Sequence, residues 1–152
     1  MLLTIFPISM IRAGALTLSA TPARALFDSR VLIRVRTDRP NETVTLEAST
    51  TIDGVPYHSW ALFRSNRSGI LDLSRDAPLS GSYREADSMG LFWSMSPEGL
   101  AQAQSATLSP IVVQLRALTT GESAAVRLWR LRVSPDVVRQ SVSATVSWDA
   151  LP

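Results

Sequence analysis

From residue 15 onward apolar and polar side chains alternate with a period of two, the spacing of strands that bury one face. In VLIRVRT, residues 31–37, Val31, Ile33 and Val35 fall on one side and Arg34 and Arg36 on the other. TVTLEAST, 43–50, turns Val44, Leu46 and Ala48 inward, and IVVQLRAL, 111–118, sets Ile111, Val113, Leu115 and Ala117 against Gln114 and Arg116. The same rule applied to AAVRLWRLRV, 124–133, points Trp129, Leu131 and Val133 inward and Arg130 and Arg132 outward. SVSATVSW, 141–148, alternates Val142, Ala144, Val146 and Trp148 with Ser and Thr.

Between these runs lie the residues that turns require: DRPNE at 38–42, DG at 53–54, SG at 80–81 and TGE at 120–122. Asp53-Gly54 predicts a two-residue hairpin, because both central positions of a type I′ turn need positive φ. Only SPEGLAQAQS, 96–105, predicts a helical turn, with Ser96 as N-cap, Pro97 at the first helical position and Glu98 in the first turn. Seven to nine short strands with regular turns predict an all-β chain, an immunoglobulin-like β-sandwich of antiparallel strands spanning 15–152. Residues 1–14 are read as an N-terminal extension.

That extension begins MLLTIFPISMI, about the length of a signal peptide's apolar stretch, but only the α-amino group supplies a basic start and Pro7 interrupts the run. It is read either as a start placed upstream of Met10 or as a weak signal-like segment. The expected location is the bacterial cytoplasm, or outside the cell if residues 1–20 are a true signal. All 15 basic residues are arginine, which we read as the mark of a GC-rich bacterial gene. The sequence pI of about 9.9 accompanies a formal charge of only +2, so it reflects a flat titration curve. The arginines are dispersed and not interleaved with stacking aromatics, which argues against nucleic acid as a partner. After the first residues no run approaches the roughly 18 apolar residues of a membrane span.

Candidate chemistry is sparse. The absence of cysteine removes disulfides, thiolate nucleophiles and cysteine metal sites, and with His58 as the one histidine no structural zinc site or other cofactor site is expected. His58 shares a strand face with Trp60 and Leu62 and is read as a packed or rim residue rather than a base. There is no G-x-S-x-G elbow. Asp72, Asp76, Glu85 and Asp87 cluster in a Ser, Gly and Pro-rich stretch and are read as solvated loop acids. NET at 41–43 and NRS at 66–68 match the glycosylation pattern but carry no weight at three residues.

A longer motif adds what the chemistry lacks. GILDLSRDAPLSGSYREADSMGLFWSMSP, 69–97, resembles the N-terminal domain of the acyl-CoA thioester hydrolase and bile acid-CoA:amino acid N-acyltransferase family. LSATPARALFDSRVLIRVR, 18–36, is similar to that domain's opening strands, and the resemblance runs over roughly residues 18 to 135. It implies an accessory β-sandwich followed by an α/β-hydrolase domain, the partner in cis, which carries a Ser or Cys nucleophile, an Asp and a His. None of those positions falls within the 152 residues, so no catalytic residue is carried over. The chain departs from the family pattern at RLRVSPDVV, where Asp136 stands in a glycine's place, and in SVSATVSWDALP, which lacks the glycine and basic residues expected before a first hydrolase strand.

Within SMGLFWSMSP, 88–97, alternation sends Leu91 and Trp93 to one side and Phe92 and Ser94 to the other. We expect one of Phe92 and Trp93 to face the core and one to face a partner surface, the alternative being that both are buried. Arg34, Arg36, Arg130 and Arg132, on outward strand faces, are candidates to meet the phosphates of acyl-CoA at the domain border. The competing readings are a stand-alone secreted binding module that uses its loops, and a short thioesterase in its own right that depends on His58.

Overall fold

The computed structural model describes residues 16–99 and 109–133. These form ten strands and one helical turn: β1 (Thr17–Thr21), β2 (Arg24–Leu26), β3 (Leu32–Arg36), β4 (Thr43–Ile52), β5 (Val55–Arg64), β6 (Ile70–Asp72), β7 (Ser80–Gly81), α1 (Gly90–Trp93), β8 (Ser96–Pro97), β9 (Ile111–Leu118) and β10 (Ser123–Leu131). One sheet has the order β1-β3-β6; the other runs β2-β10-β9-β4-β5-β7, with β8 also paired to β5. Pairing is antiparallel except between β2 and β10, which run parallel. The N-terminal extension, the second half of the 96–105 stretch and the 141–148 run lie outside the described residues.

Alternation does the assembling. Val31, Ile33, Val35, Leu71 and Leu73 of the smaller sheet and its flanks meet Val44, Leu46, Ala61, Phe63, Val113, Leu115 and Leu128 of the larger one, all buried in one cluster. Each of the Val, Ile, Leu and Phe side chains withdrawn from water contributes about 1.5–3 kcal/mol, against the entropy of ordering the chain. The β4–β5 hairpin turns at Asp53 (φ 49°) and Gly54 (φ 83°), the two positive values expected for that turn, and Ile52 pairs with Val55 across it.

β3, β4 and β9 bury the expected faces, but β10 is reversed. Leu128 and Arg130 point inward, whereas Trp129 is 41% exposed and Val133 lies open to solvent. Arg130 replaces an apolar residue in the interior because its guanidinium has partners there. Nη2 donates to the carbonyls of Phe27 and Ser29, and the cation lies 5.4 Å from the centre of the Phe92 ring. Those groups are distant in sequence, so hydropathy along β10 cannot register them.

Two further expectations are corrected. Ser96 and Pro97 do not open a helix; they pair with His58 and Tyr57, and the Glu98 N–H donates to the Pro56 carbonyl. Residues 90–93 do not alternate either. They coil into α1, with Phe92 and Trp93 N–H groups donating to the Met89 carbonyl, so that Leu91 is buried, Phe92 half-buried and Trp93 exposed.

Candidate interaction surface

The α1 turn is anchored from three directions. The Ser59 hydroxyl of β5 donates to the Leu91 carbonyl, the Asp87 carboxylate accepts the Met89 N–H at 2.8 Å, and the Met89 sulfur lies 3.3 Å from the Val31 N–H. Gly90 is required by close approach: a Cβ there would stand 2.2 Å from the Tyr83 ring. Tyr83 in turn packs edge-on against Phe63 in the core. Burial and the nearby Asp87 push the Tyr83 hydroxyl's pKa upward, so it stays a neutral phenol.

With α1 held, its two aromatics take different roles. Phe92 packs against the core and covers Arg130. Trp93 is 55% exposed and meets Phe27, itself 44% exposed, edge to face with ring centres 6.3 Å apart. Of the two residues, Trp93 is the one that presents an open surface. Phe27 emerged only from the structure, since in ALFD it reads as an ordinary residue at the end of a short strand.

The four arginines are not brought together. Arg34 and Arg36 lie on the outer face of the smaller sheet, and Arg34 Nε donates to Asp72 Oδ2 at 2.9 Å. Arg132, half-buried beyond the end of β10, pairs with Asp53 at 3.2 Å. Arg130 is interior, 1% exposed, and so does not stand on an outward face. Its burial depresses the guanidinium's pKa, an effect that Asp28 opposes.

Asp72 is not a solvated loop acid. It is buried on β6, accepting from the Ser74 hydroxyl at 2.6 Å, the Ser74 N–H at 3.1 Å and Arg34. Hydrogen bonds from Ser74 and Arg34 outweigh desolvation and hold its pKa at about 2, below the ordinary 3.8. Asp76 closes the turn by accepting the Asp72 N–H at 2.7 Å. A bond between residues 34 and 72 cannot be read from local composition.

His58 is on the outer face of the larger sheet, its Nδ1 3.0 Å from Glu98, beside Trp60 and Arg116 in a depression of about 300 Å³. Ser59, between His58 and Trp60 on β5, is buried and its hydroxyl donates to the Leu91 carbonyl, which makes it a tie for α1. Among the described residues no three His, Cys, Asp or Glu side chains gather as a metal site, and no helix is long and apolar enough to cross a membrane.

Comparison with known proteins places this arrangement. The chain is 40% identical over 84 residues to human bile acid-CoA:amino acid N-acyltransferase, a stretch that covers 55% of this chain and 20% of that protein. It is 40% identical over 84 residues to rat acyl-coenzyme A thioesterase 1, and 40% over 86 residues to human acyl-coenzyme A thioesterase 2, mitochondrial, covering 54% and 55% of this chain and 20% and 18% of those proteins. The chain thus matches about a fifth of the length of these relatives. Residues 28–144, most of the sequence and with it Asp72, Phe92 and Arg130, match the family described as the acyl-CoA thioester hydrolase/BAAT N-terminal region, and the chain belongs to that family.

Proposed function

We propose that this chain is the non-catalytic N-terminal domain of an acyl-CoA thioesterase or acyl-CoA:amino acid N-acyltransferase, an immunoglobulin-like sandwich that supports an α/β-hydrolase domain in cis. The observation that carries the reading is the match of residues 28–144 to a region that stands at the N-terminus of enzymes several times longer. The two-sheet all-β architecture and an aromatic pair left open beside α1 support it. In this reading acyl-CoA is met at the border of the two domains. Arg130 contributes there only from the interior, and Arg34 and Arg132 are already paired with carboxylates.

The test is to sequence the gene past codon 152 and translate all three frames. An α/β-hydrolase with a nucleophile elbow is expected to follow. A stop with no such domain behind it would move the stand-alone binding module to the front. In parallel, the isolated 152-residue protein should release no thiol from acyl-CoA; release that is abolished by His58→Ala would make the chain an enzyme in its own right.

A further inference from the structure

Large apolar residues that stand exposed singly on a surface need no explanation, but two that touch each other beside a buried cation do. Arg130 is almost fully withdrawn from water, yet its Nε and Nη1 have no hydrogen-bond partner. Leaving buried donors unpaired costs stability, and an apolar side chain of similar volume would fill the same space without that cost. What the arginine alone provides is Nη2, which donates to the carbonyls of Phe27 and Ser29 and so fixes the turn that follows β2. The same guanidinium lies beneath Phe92, the neighbour of Trp93. One buried side chain therefore bonds the turn that carries Phe27 and packs under the ring next to Trp93.

The position of the pair indicates what covers it. The Phe27 N–H donates to the Leu131 carbonyl at 2.8 Å, so the pair stands where β10 ends and the polypeptide moves on through the exposed Val133. Beside it, Phe27, Ile52 and Ile111, with Arg132 at the rim, line a depression of about 290 Å³, room for an apolar side chain from outside. In the relatives about four-fifths of the protein lies outside the matched stretch, which is their N-terminal region.

We infer that the Phe27–Trp93 pair, preset by Arg130 acting as a positioning residue, is the seat on which the following catalytic domain docks by an apolar contact. The inference rests on the accessory-domain reading and adds to it the surface and the residue that shapes it.

The experiment grafts the 152-residue chain in place of the N-terminal region of human acyl-coenzyme A thioesterase 2, mitochondrial. Oxidative labelling of Trp93 and Trp60 is then compared between the graft and the free chain. Thioester hydrolysis by the graft reports separately on the accessory-domain reading. An active graft in which Trp93 is labelled at least tenfold more slowly than in the free chain, with Trp60 unchanged, is the expected result. An active graft with Trp93 as reactive as in the free chain, or with Trp60 protected instead, overturns the docking seat and leaves the domain reading standing. An inactive graft with Trp93 unprotected overturns both. Arg130→Met is expected to remove most of the protection of Trp93 while the free chain's melting temperature stays close to wild type. Full protection in that variant would overturn the positioning role.

Discussion

Arg34 and Arg130 both sit on strands and are both hydrogen-bonded, yet they illustrate two ways of placing an arginine. Arg34, its side chain 61% exposed, meets the buried Asp72 carboxylate, and the Ser74 and Asp76 bonds around it leave the turn after β6 well supplied with partners. Arg130 is enclosed, bonds only neutral carbonyls through one nitrogen, and keeps two donors unpaired. The first arrangement stabilises the turn it belongs to. The second spends stability to hold a distant turn in one place, which is the pattern expected when a surface must be shaped for something else.

The comparison can be broken at several points. The largest effect is expected at the seat of α1, where Gly90→Ala drives a Cβ into the Tyr83 ring and should lower unfolding free energy by about 3 kcal/mol, measured by urea titration. A variant as stable as wild type would show that the α1 seat can shift freely. Asp72→Ala comes next: it strips the Ser74 turn and Arg34 of their acceptor and should cost about 2 kcal/mol in the same titration, because Arg34 can return to water.

Acid should reach the same cluster without mutation. The folded-state pKa of Asp72 lies below its ordinary 3.8, so its stabilisation is complete above about pH 4 and is lost as pH falls toward about 2. Melting curves across that window should show a loss of about 1 kcal/mol, after allowance for screening around Arg34, that Asp72→Asn no longer shows. Arg130→Met sharpens the contrast from the other side: stability should remain within about 1 kcal/mol of wild type. A loss of several kcal/mol would make Arg130 a stabilising residue like Arg34 and erase the difference. The smallest effect belongs to Trp93→Ala, expected to change stability by no more than about 0.5 kcal/mol because the ring is mostly exposed. A loss of 3–5 kcal/mol, the value for a core tryptophan, would instead place it in the interior.

Much of the architecture was legible because local alternation and burial agree. Val31-Ile33-Val35, Val44-Leu46-Ala48 and Ile111-Val113-Leu115 bury as patterned, and Asp53-Gly54 turns as its residue types demand. β10 was misread because a period-two rule ranks Trp129 above Arg130 for burial, while the carbonyls of residues 27 and 29 and the Phe92 ring reverse that order. Asp72 differs from its expected solvated state through a local bond from Ser74 and a bond from Arg34 across 38 positions, and the second is invisible to local composition. The four residues of α1 are too few for a helical period to show, so Trp93 and Leu91 were assigned one side by alternation and take opposite environments in the fold. Phe27 left no mark in the sequence, because a lone phenylalanine between an exposed leucine and an aspartate looks like any strand end.

The ten-residue β5 lies beside β4 in the larger sheet, and among the described residues its other side is closed by two fragments, β7 opposite Ala61 and Leu62 and β8 opposite Tyr57 and His58. These fragments act as stoppers on a strand whose unpaired backbone would otherwise template a neighbouring molecule. Gly81 makes one stopper possible: a Cβ there would lie 2.5 Å from the Trp60 carbonyl. A side chain at position 81 would push β7 away from Ala61 and Leu62, so the closure of this stretch of the margin depends on a single missing methyl group.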